Sequence, residues 1–205
     1  MFVNSDFKKN DNMETTDPQY WNNRYLTGDI GWDMGRVSPP MQAYIDQLED
    51  RDLEILIPGA GNSYEAAYLL EKGFRRVTVL DIAPALIEQL RKTFAGTALQ
   101  IVEGDFFRHQ GSYDVVLEQT FFCALDPSLR RDYVTHMHTL VKPGGHLAGV
   151  LFNRSFSHDG PPFGGTVAEY RELFSPLFEL KTLEMCYNSH PARQGSEVFI
   201  NFLPK

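Results

Sequence analysis

Leu53-Glu54-Ile55-Leu56-Ile57-Pro58-Gly59-Ala60-Gly61-Asn62 opens, and Val77-Thr78-Val79-Leu80-Asp81 closes, the stretch that decides the fold. The first run is short, apolar and rich in branched side chains, the composition of a buried strand. Gly59 and Gly61 follow at once. Lacking Cβ atoms, they let the backbone turn sharply and approach a ligand closely. Tyr64, Ala67, Tyr68, Leu70 and Glu71 then recur at helical spacing across residues 62–72, and Gly73 stands where a helix would end. Residues 77–80 are a second apolar run that finishes on an acid, Asp81. Strand, glycine turn, helix, strand, acid is the first half of a nucleotide-binding α/β sheet.

Asp81 lies twenty positions past Gly61, at the predicted carboxyl edge of its strand. A carboxylate there accepts two hydrogen bonds from the cis hydroxyls of a ribose. The competing role is a helix N-cap for the segment beginning Ala83-Pro84. The ribose role is preferred, because a cap does not require a glycine turn twenty residues upstream. A dinucleotide fingerprint, G-x-G-x-x-G, would place its third glycine where Tyr64 stands. That glycine lets helix and strand pack closely behind a pyrophosphate on the helix N-terminus. Tyr64 therefore disfavours a dinucleotide, and with it a nicotinamide oxidoreductase. A ribose ligand without a diphosphate fits better, and S-adenosylmethionine is the common one.

The 205 residues suit one domain with a sizeable core. Net charge is −8 and no Lys/Arg run is long enough to track a phosphate backbone, which disfavours nucleic acid as a partner. No apolar run approaches a transmembrane length, and the polar N-terminus lacks a signal-peptide core. The two cysteines, Cys123 and Cys186, have no metal-ligand spacing, so the expectation is a reduced, cytoplasmic protein without a metal site. The expected assembly is a monomer or weak dimer.

Working outward, residues 1–16 are polar, without periodicity, and read as a mobile tail. Asp17-Pro18 starts a helix carrying Tyr20, Trp21, Arg24 and Tyr25 and ending near Gly28. Ser38 is placed to cap a second helix running through Leu48. Residues 17–50 are thus expected to form a helical lid on a core of residues 51–205. Trp21 and Trp32 both precede the first core strand. Two readings stand side by side: the tryptophans cover a sheet face, or they close over a cationic sulfonium, which aromatic faces attract.

Past Asp81 a helix follows through Ala85, Leu86, Leu90 and Phe94, then a third strand at residues 99–102. Asp105 after that strand is placed to bond an adenine amino group, with Phe106 against the ring; for Asp105 the alternative is loop solvation. Residues 113–117 are a fourth strand, so residues 118–122 fall at the crevice where ligands of open α/β sheets sit. Asp126-Pro127 caps a helix whose core face carries Leu129, Tyr133, Met137 and Leu140. His136 and His138, two apart, lie on different sides of it, which rejects a metal site. Residues 142–145 read as a tight turn into a fifth strand at residues 146–152. Residues 153–165 are a loop of thirteen residues, long enough to be functional. A helix at residues 167–174 and two antiparallel strands, 177–187 and 197–203, complete the chain.

Pro58-Gly59-x-Gly61, Asp81, Gly104-Asp105 and Lys142-Pro143-Gly144-Gly145 together resemble a class I S-adenosylmethionine-dependent methyltransferase. Trp32-Asp33-Met34-Gly35-Arg36, residues 121–127 (Phe-Phe-Cys-Ala-Leu-Asp-Pro) and Gly160-Pro161-Pro162-Phe163 resemble, more narrowly, the thiopurine methyltransferase family, including its plant halide/thiol branch. The resemblance spans about residues 17–203. It implies a Rossmann-like, seven-stranded, mostly parallel sheet with helices on both faces and the last strand inserted antiparallel. It places cofactor contacts on Trp21, Tyr25, Trp32, Gly59, Asp81, Asp105, Phe106 and Gln119, to which the glycine turn adds Gly61. The halide branch has tyrosine at the positions of Gln119 and Phe163. Phenylalanine cannot hold a small anion through a hydroxyl, which leans toward a less polar sulfur acceptor.

Methyl transfer from a sulfonium needs alignment and a dry site more than acid–base help. Phe121, Phe122 and Phe163 are expected to wall an apolar acceptor pocket. For Arg36 and Arg193 a surface charge or structural ion pair is the preferred reading, with attraction of an anionic acceptor as the alternative. The expected activity is methyl transfer to a small-molecule thiol or thiopurine-like sulfur. The alternatives are a halide or thiocyanate acceptor, an oxygen or nitrogen acceptor using Asp33, Glu118 or His158 as base, or cofactor binding without turnover.

Overall fold

The computed structural model describes residues 15–205. Helix α1 (Pro18–Thr27) begins where Asp17 accepts the Gln19 N–H and proline takes the first turn, and it ends on Gly28 in the left-handed region. Helix α2 (Pro39–Ile45) precedes β1 (Ile55–Pro58). Then α3 (Tyr64–Glu71), β2 (Val77–Asp81), α4 (Pro84–Thr93), β3 (Gln100–Glu103) and β4 (Tyr113–Gln119) alternate. Next come α5 (Arg130–Leu140), β5 (Val141–Phe152), α6 (Val167–Phe174), β6 (Phe178–Met185) and β7 (Glu197–Pro204).

The strands form one sheet in the order β3-β2-β1-β4-β5-β7-β6. β1 to β5 pair in parallel, and β7 enters antiparallel between β5 and β6. Side chains alternate between two apolar layers. Ile55, Ile57, Val77, Val79, Val115 and Leu117 pack with Met41, Leu69, Leu86 and Leu90. Leu56, Leu80, Val116 and Leu147 pack with Tyr133, Met137, Leu140 and Phe174. Both faces are covered by helices, which is why these strands read as continuous apolar runs. The strand order reverses beside β1, so β1 and β4 diverge into a crevice at their carboxyl ends.

Several boundaries differ from the sequence reading. Residues 1–14 of the expected tail lie outside the described residues, but Thr15 is held. Its carbonyl accepts from Trp21 Nε1 at 2.9 Å and its hydroxyl accepts the Asp126 N–H at 3.1 Å. Helix α2 stops at Ile45 rather than Leu48, because the Gln47 and Leu48 N–H groups bond three residues back instead of four. It is also core rather than lid, with Met41 and Ile45 fully buried. Ser38 leaves α2 without a side-chain cap. Strand β5 begins at Val141 and not His146. Residues 142–145 stay within it, with a register shift opposite Asp114. A Cβ on Gly145 would meet the Asp114 carbonyl oxygen at 2.8 Å, so only glycine allows that crossing. Asp126 caps a short 3-10 turn (Pro127–Leu129), and α5 starts after it. Among the described residues no helix is long and apolar enough to cross a membrane.

Candidate active site

A cavity of about 610 Å³ opens at the carboxyl ends of β1, β2 and β4. Gly59 and Gly61, at φ 60° and 49°, carry the chain from β1 around its floor. Asp81 reaches the cavity from the end of β2 and is 9% exposed. Its Oδ1 accepts the Ala83 N–H at 3.0 Å, and the N-cap position of α4 belongs to Ala83 rather than to Asp81. Burial raises the Asp81 carboxyl to about 6, against the pull of the backbone N–H groups around it. Asp105 also lines the cavity, but its Oδ1 accepts the Phe107 N–H at 2.9 Å and caps the short turn that follows β3. Phe106 is mainly core. Its ring stacks on Tyr133 at 5.3 Å and meets Phe121 edge-on at 5.1 Å, leaving one edge to the cavity.

The two tryptophans form the outer wall. Trp32 meets Trp21 at 5.6 Å and Tyr25 at 5.8 Å, both edge to face. The Arg24 guanidinium lies 4.7 Å from the Trp32 ring centre. Burial, then the Asp81 carboxylate, push the Tyr25 phenol well above its ordinary value, so it remains a neutral hydroxyl. Gln119 closes the opposite side. Its Oε1 accepts from Ser38 Oγ at 2.7 Å, and its Nε2 is buried with no partner among the described residues. That contact explains why Ser38 does not cap α2. No sequence pattern pairs residues 38 and 119.

Beyond β4 the chain turns sharply, with Thr120 at φ 63°. Glu118 holds this turn and does not face the cavity. It is fully buried. Oε1 accepts the Phe121 and Phe122 N–H groups at 2.7 and 3.0 Å, and Oε2 accepts the Tyr133 hydroxyl at 2.5 Å. It is therefore removed from the candidate bases. Burial pushes its carboxyl up to about 7 against those three donors. A carboxyl raised on folding keeps a proton that the unfolded chain releases, so its contribution to stability falls as pH rises from about 4.5 to about 7. Glu118→Gln keeps an oxygen for both N–H groups and removes the charge. Its stability relative to the parent should thus improve from pH 5 to pH 8, by up to roughly 3 kcal/mol. Thermal melts at the two pH values check this, and a gap independent of pH contradicts it.

At the acceptor end the structure corrects two expectations. Phe122 is 1% exposed and packs in the core against Tyr133, Tyr170 and Phe174. A 3-10 turn (Phe122–Ala124) turns its side chain inward while Phe121 stays on the cavity. Phe163 faces an adjoining hollow of about 330 Å³ instead of the main cavity. Its N–H donates to the Cys123 carbonyl at 2.7 Å, and Pro161 and Pro162 take the wall in its place. The aromatic wall is completed by Phe152 and Phe156, which the sequence reading missed. Phe152 ends β5 at the crevice edge, and Phe156 with His158 lies in the thirteen-residue loop. Those positions were the available signal. Arg36 lines the rim and is exposed. Arg193 lines the wall as a brace: it pairs with Glu197 at 3.3 Å and donates to the Trp32 carbonyl at 2.9 Å. Among the described residues no cluster of His, Cys, Asp and Glu is arranged to hold a metal.

The sequence matches the family model described as thiopurine S-methyltransferase over residues 16–201. It is 28% identical to a probable thiol methyltransferase 2 of Arabidopsis thaliana, over 77% of this chain and 72% of that protein. It is 26% identical to a thiopurine S-methyltransferase of Acinetobacter baylyi, over 81% of this chain and 87% of that one. Among solved structures it is similar to the 1,6-didemethyltoxoflavin-N1-methyltransferase of Burkholderia thailandensis. The TM-score is 0.72 at 20% identity, covering 92% and 87% of the two chains. That likeness is one of fold.

Proposed function

We propose that this chain, which belongs to the thiopurine S-methyltransferase family, transfers the methyl group of S-adenosylmethionine to a small-molecule sulfur nucleophile. The residues present fit that donor. Asp81 offers a buried carboxylate to ribose hydroxyls, Gly61 has open space where a Cβ would stand, Gly59 seats the Phe121 ring instead, and Trp21, Tyr25 and Trp32 present aromatic faces suited to a sulfonium. Asp105 and Phe106 line the same cavity and would meet the adenine, and the Gln119 Nε2, which has no partner among the described residues, would supply a donor. When bound, the cofactor supplies an already activated methyl group. The chain's own part is to exclude water, align the acceptor and keep the pocket weakly polar.

The observation that carries the sulfur assignment is the acceptor wall. Phe121, Phe152, Phe156, Pro161 and Pro162 line it, while the carboxylates of Asp33 and Glu118 are committed to hydrogen bonds elsewhere. A thiol needs no strong base, since a pKa near ~8.5 leaves some thiolate at neutral pH. An alcohol does need one. The names of the thiol, thiocyanate and thiopurine methyltransferases among its relatives agree with this reading.

A panel of thiols, a selenol, a thiopurine, thiocyanate, halides and a catechol, assayed with labelled S-adenosylmethionine, tests it. Sulfur acceptors should turn over, at a rate that rises with pH toward the thiol's own pKa. Phe156→Ala should raise the acceptor KM roughly tenfold, the scale of a lost aromatic contact, and leave cofactor affinity near the parent's. Turnover of catechol or chloride with none of the sulfur compounds overturns the assignment. His158 gives the second reading its foothold, because an imidazole lies on the acceptor wall. Oxygen or nitrogen transfer that disappears in His158→Gln would favour that reading.

A further inference from the structure

Tyr64 is the residue that spoils the dinucleotide fingerprint, and it is not spare. Its hydroxyl donates to Asp33 Oδ2 at 3.2 Å, across thirty-one residues of sequence. Asn62, in the glycine turn, donates its side-chain N–H to the same oxygen. The other end of the Asn62 amide accepts from Gln89 Nε2 on α4 at 3.0 Å, which fixes its orientation. Asp33 Oδ1 accepts the Gly35 N–H and closes the local turn that presents Trp32. One carboxylate thus joins the irregular segment between α1 and α2 to the floor of the cofactor half.

That segment is anchored at both ends. Asn22 Oδ1 accepts the Ala85 N–H at 2.8 Å, and α2 is buried in the core. Between the anchors Trp32 packs edge to face on Trp21 and Tyr25, Val37 packs against the core, and Arg36, next in sequence to the turn, is exposed. Polar contacts from the two walls hold its middle: Arg193 on the Trp32 carbonyl and the Asn62–Tyr64 pair on Asp33. We propose that Asp33 is a positioning residue, a latch that holds the Trp32 segment down on the glycine turn and thereby slows cofactor escape. Asp33 is then not a base, because both its oxygens are committed to donors. The proposal rests on the reading that the cavity takes S-adenosylmethionine, but its geometry does not.

Two variants test it, Asp33→Asn and Tyr64→Phe. The first keeps the shape of the carboxylate, and the second removes one half-buried hydroxyl. Two readouts apply: the dissociation rate of S-adenosylmethionine by stopped flow, and the rate of tryptic cleavage after Arg36 in the ligand-free protein, located by mass spectrometry. The latch predicts dissociation about tenfold faster in Asp33→Asn, which removes the charge that all the donors share, and about threefold faster in Tyr64→Phe, which removes one long donor and leaves the Asn62 contact in place. Cleavage should quicken in the same order. The double variant should be no worse than Asp33→Asn, since both act on one contact. At saturating cofactor, kcat and its pH profile should stay within about threefold of the parent. Parent-like dissociation and cleavage in both variants overturn the latch. So does a hundredfold loss of kcat in Asp33→Asn with parent-like dissociation, which would make Asp33 a base. If the parent binds no S-adenosylmethionine, the cofactor reading fails on its own, and the cleavage rates still decide the latch.

Discussion

Replacing Asp81 by Ala is expected to weaken S-adenosylmethionine binding by ~2 kcal/mol or more, about thirtyfold, because a buried charged acceptor is lost. The carboxylate sits at the end of β2, where the sheet opens, and its neighbours are backbone N–H groups that keep it in place. The apo protein carries it at a cost, since burial raises it to about 6. Ribose hydroxyls donate to the ionised form, so the cofactor favours proton release. Affinity should therefore rise with pH up to about 6 and level off above it. The same group acts oppositely on the stability of the free protein. Its folded pKa exceeds its unfolded value of 3.8, so its contribution declines as pH rises from about 4 to about 6. Asp81→Asn should flatten both profiles. Calorimetric titrations at pH 5, 6 and 8 measure this, and equal affinities for parent and Asp81→Ala would remove Asp81 from the cofactor site.

Asp81 was legible because everything that places it is local: a strand, a two-glycine turn and a spacing of twenty residues. The same holds for Asp17-Pro18 as a helix start and for the α6 span, which are set by caps within a few residues. What the sequence concealed depends on partners far along the chain. Of two adjacent phenylalanines, Phe121 lines the cavity and Phe122 the core; Glu118, held by Tyr133, makes that choice by fixing both N–H groups. Phe163 faces away because its backbone bonds to Cys123, forty residues earlier. Ser38 reads as a cap, yet its hydroxyl is taken by Gln119, a partner eighty-one residues away. Tyr64 illustrates the converse: its misfit to one motif was plain, while the contact that gives it a use lies thirty-one residues upstream.

Gly59→Ala should be among the most damaging single substitutions, costing roughly 2–5 kcal/mol of stability. Two independent terms add. Gly59 has φ 60°, a left-handed conformation that costs an L side chain ~1–2 kcal/mol. In addition, the new Cβ would lie 2.3 Å from Phe121 Cδ2 and 2.8 Å from its Cγ. The ring cannot back away with its main chain, because the Phe121 N–H is held by Glu118 at 2.7 Å. It must swing, either into the cavity or against Phe106 and Tyr133, and such overpacking typically costs ~1–3 kcal/mol. At roughly 2–4 °C per kcal/mol for a chain of this size, the melting temperature should fall by several degrees at least. A ring swung into the cavity would also lower affinity for cofactor and acceptor together, whereas Asp81→Ala touches the cofactor alone. The double variant Gly59→Ala/Phe121→Ala separates the terms. Removing the ring relieves the two nearest contacts but leaves the Phe121 Cβ at 2.9 Å and the strained φ, so recovery should be partial. A coupling energy of at least ~1 kcal/mol in this double-mutant cycle is the expected result. Strict additivity would mean that the Phe121 ring moves freely, and that the close seat of Phe121 on Gly59 does not shape the cavity.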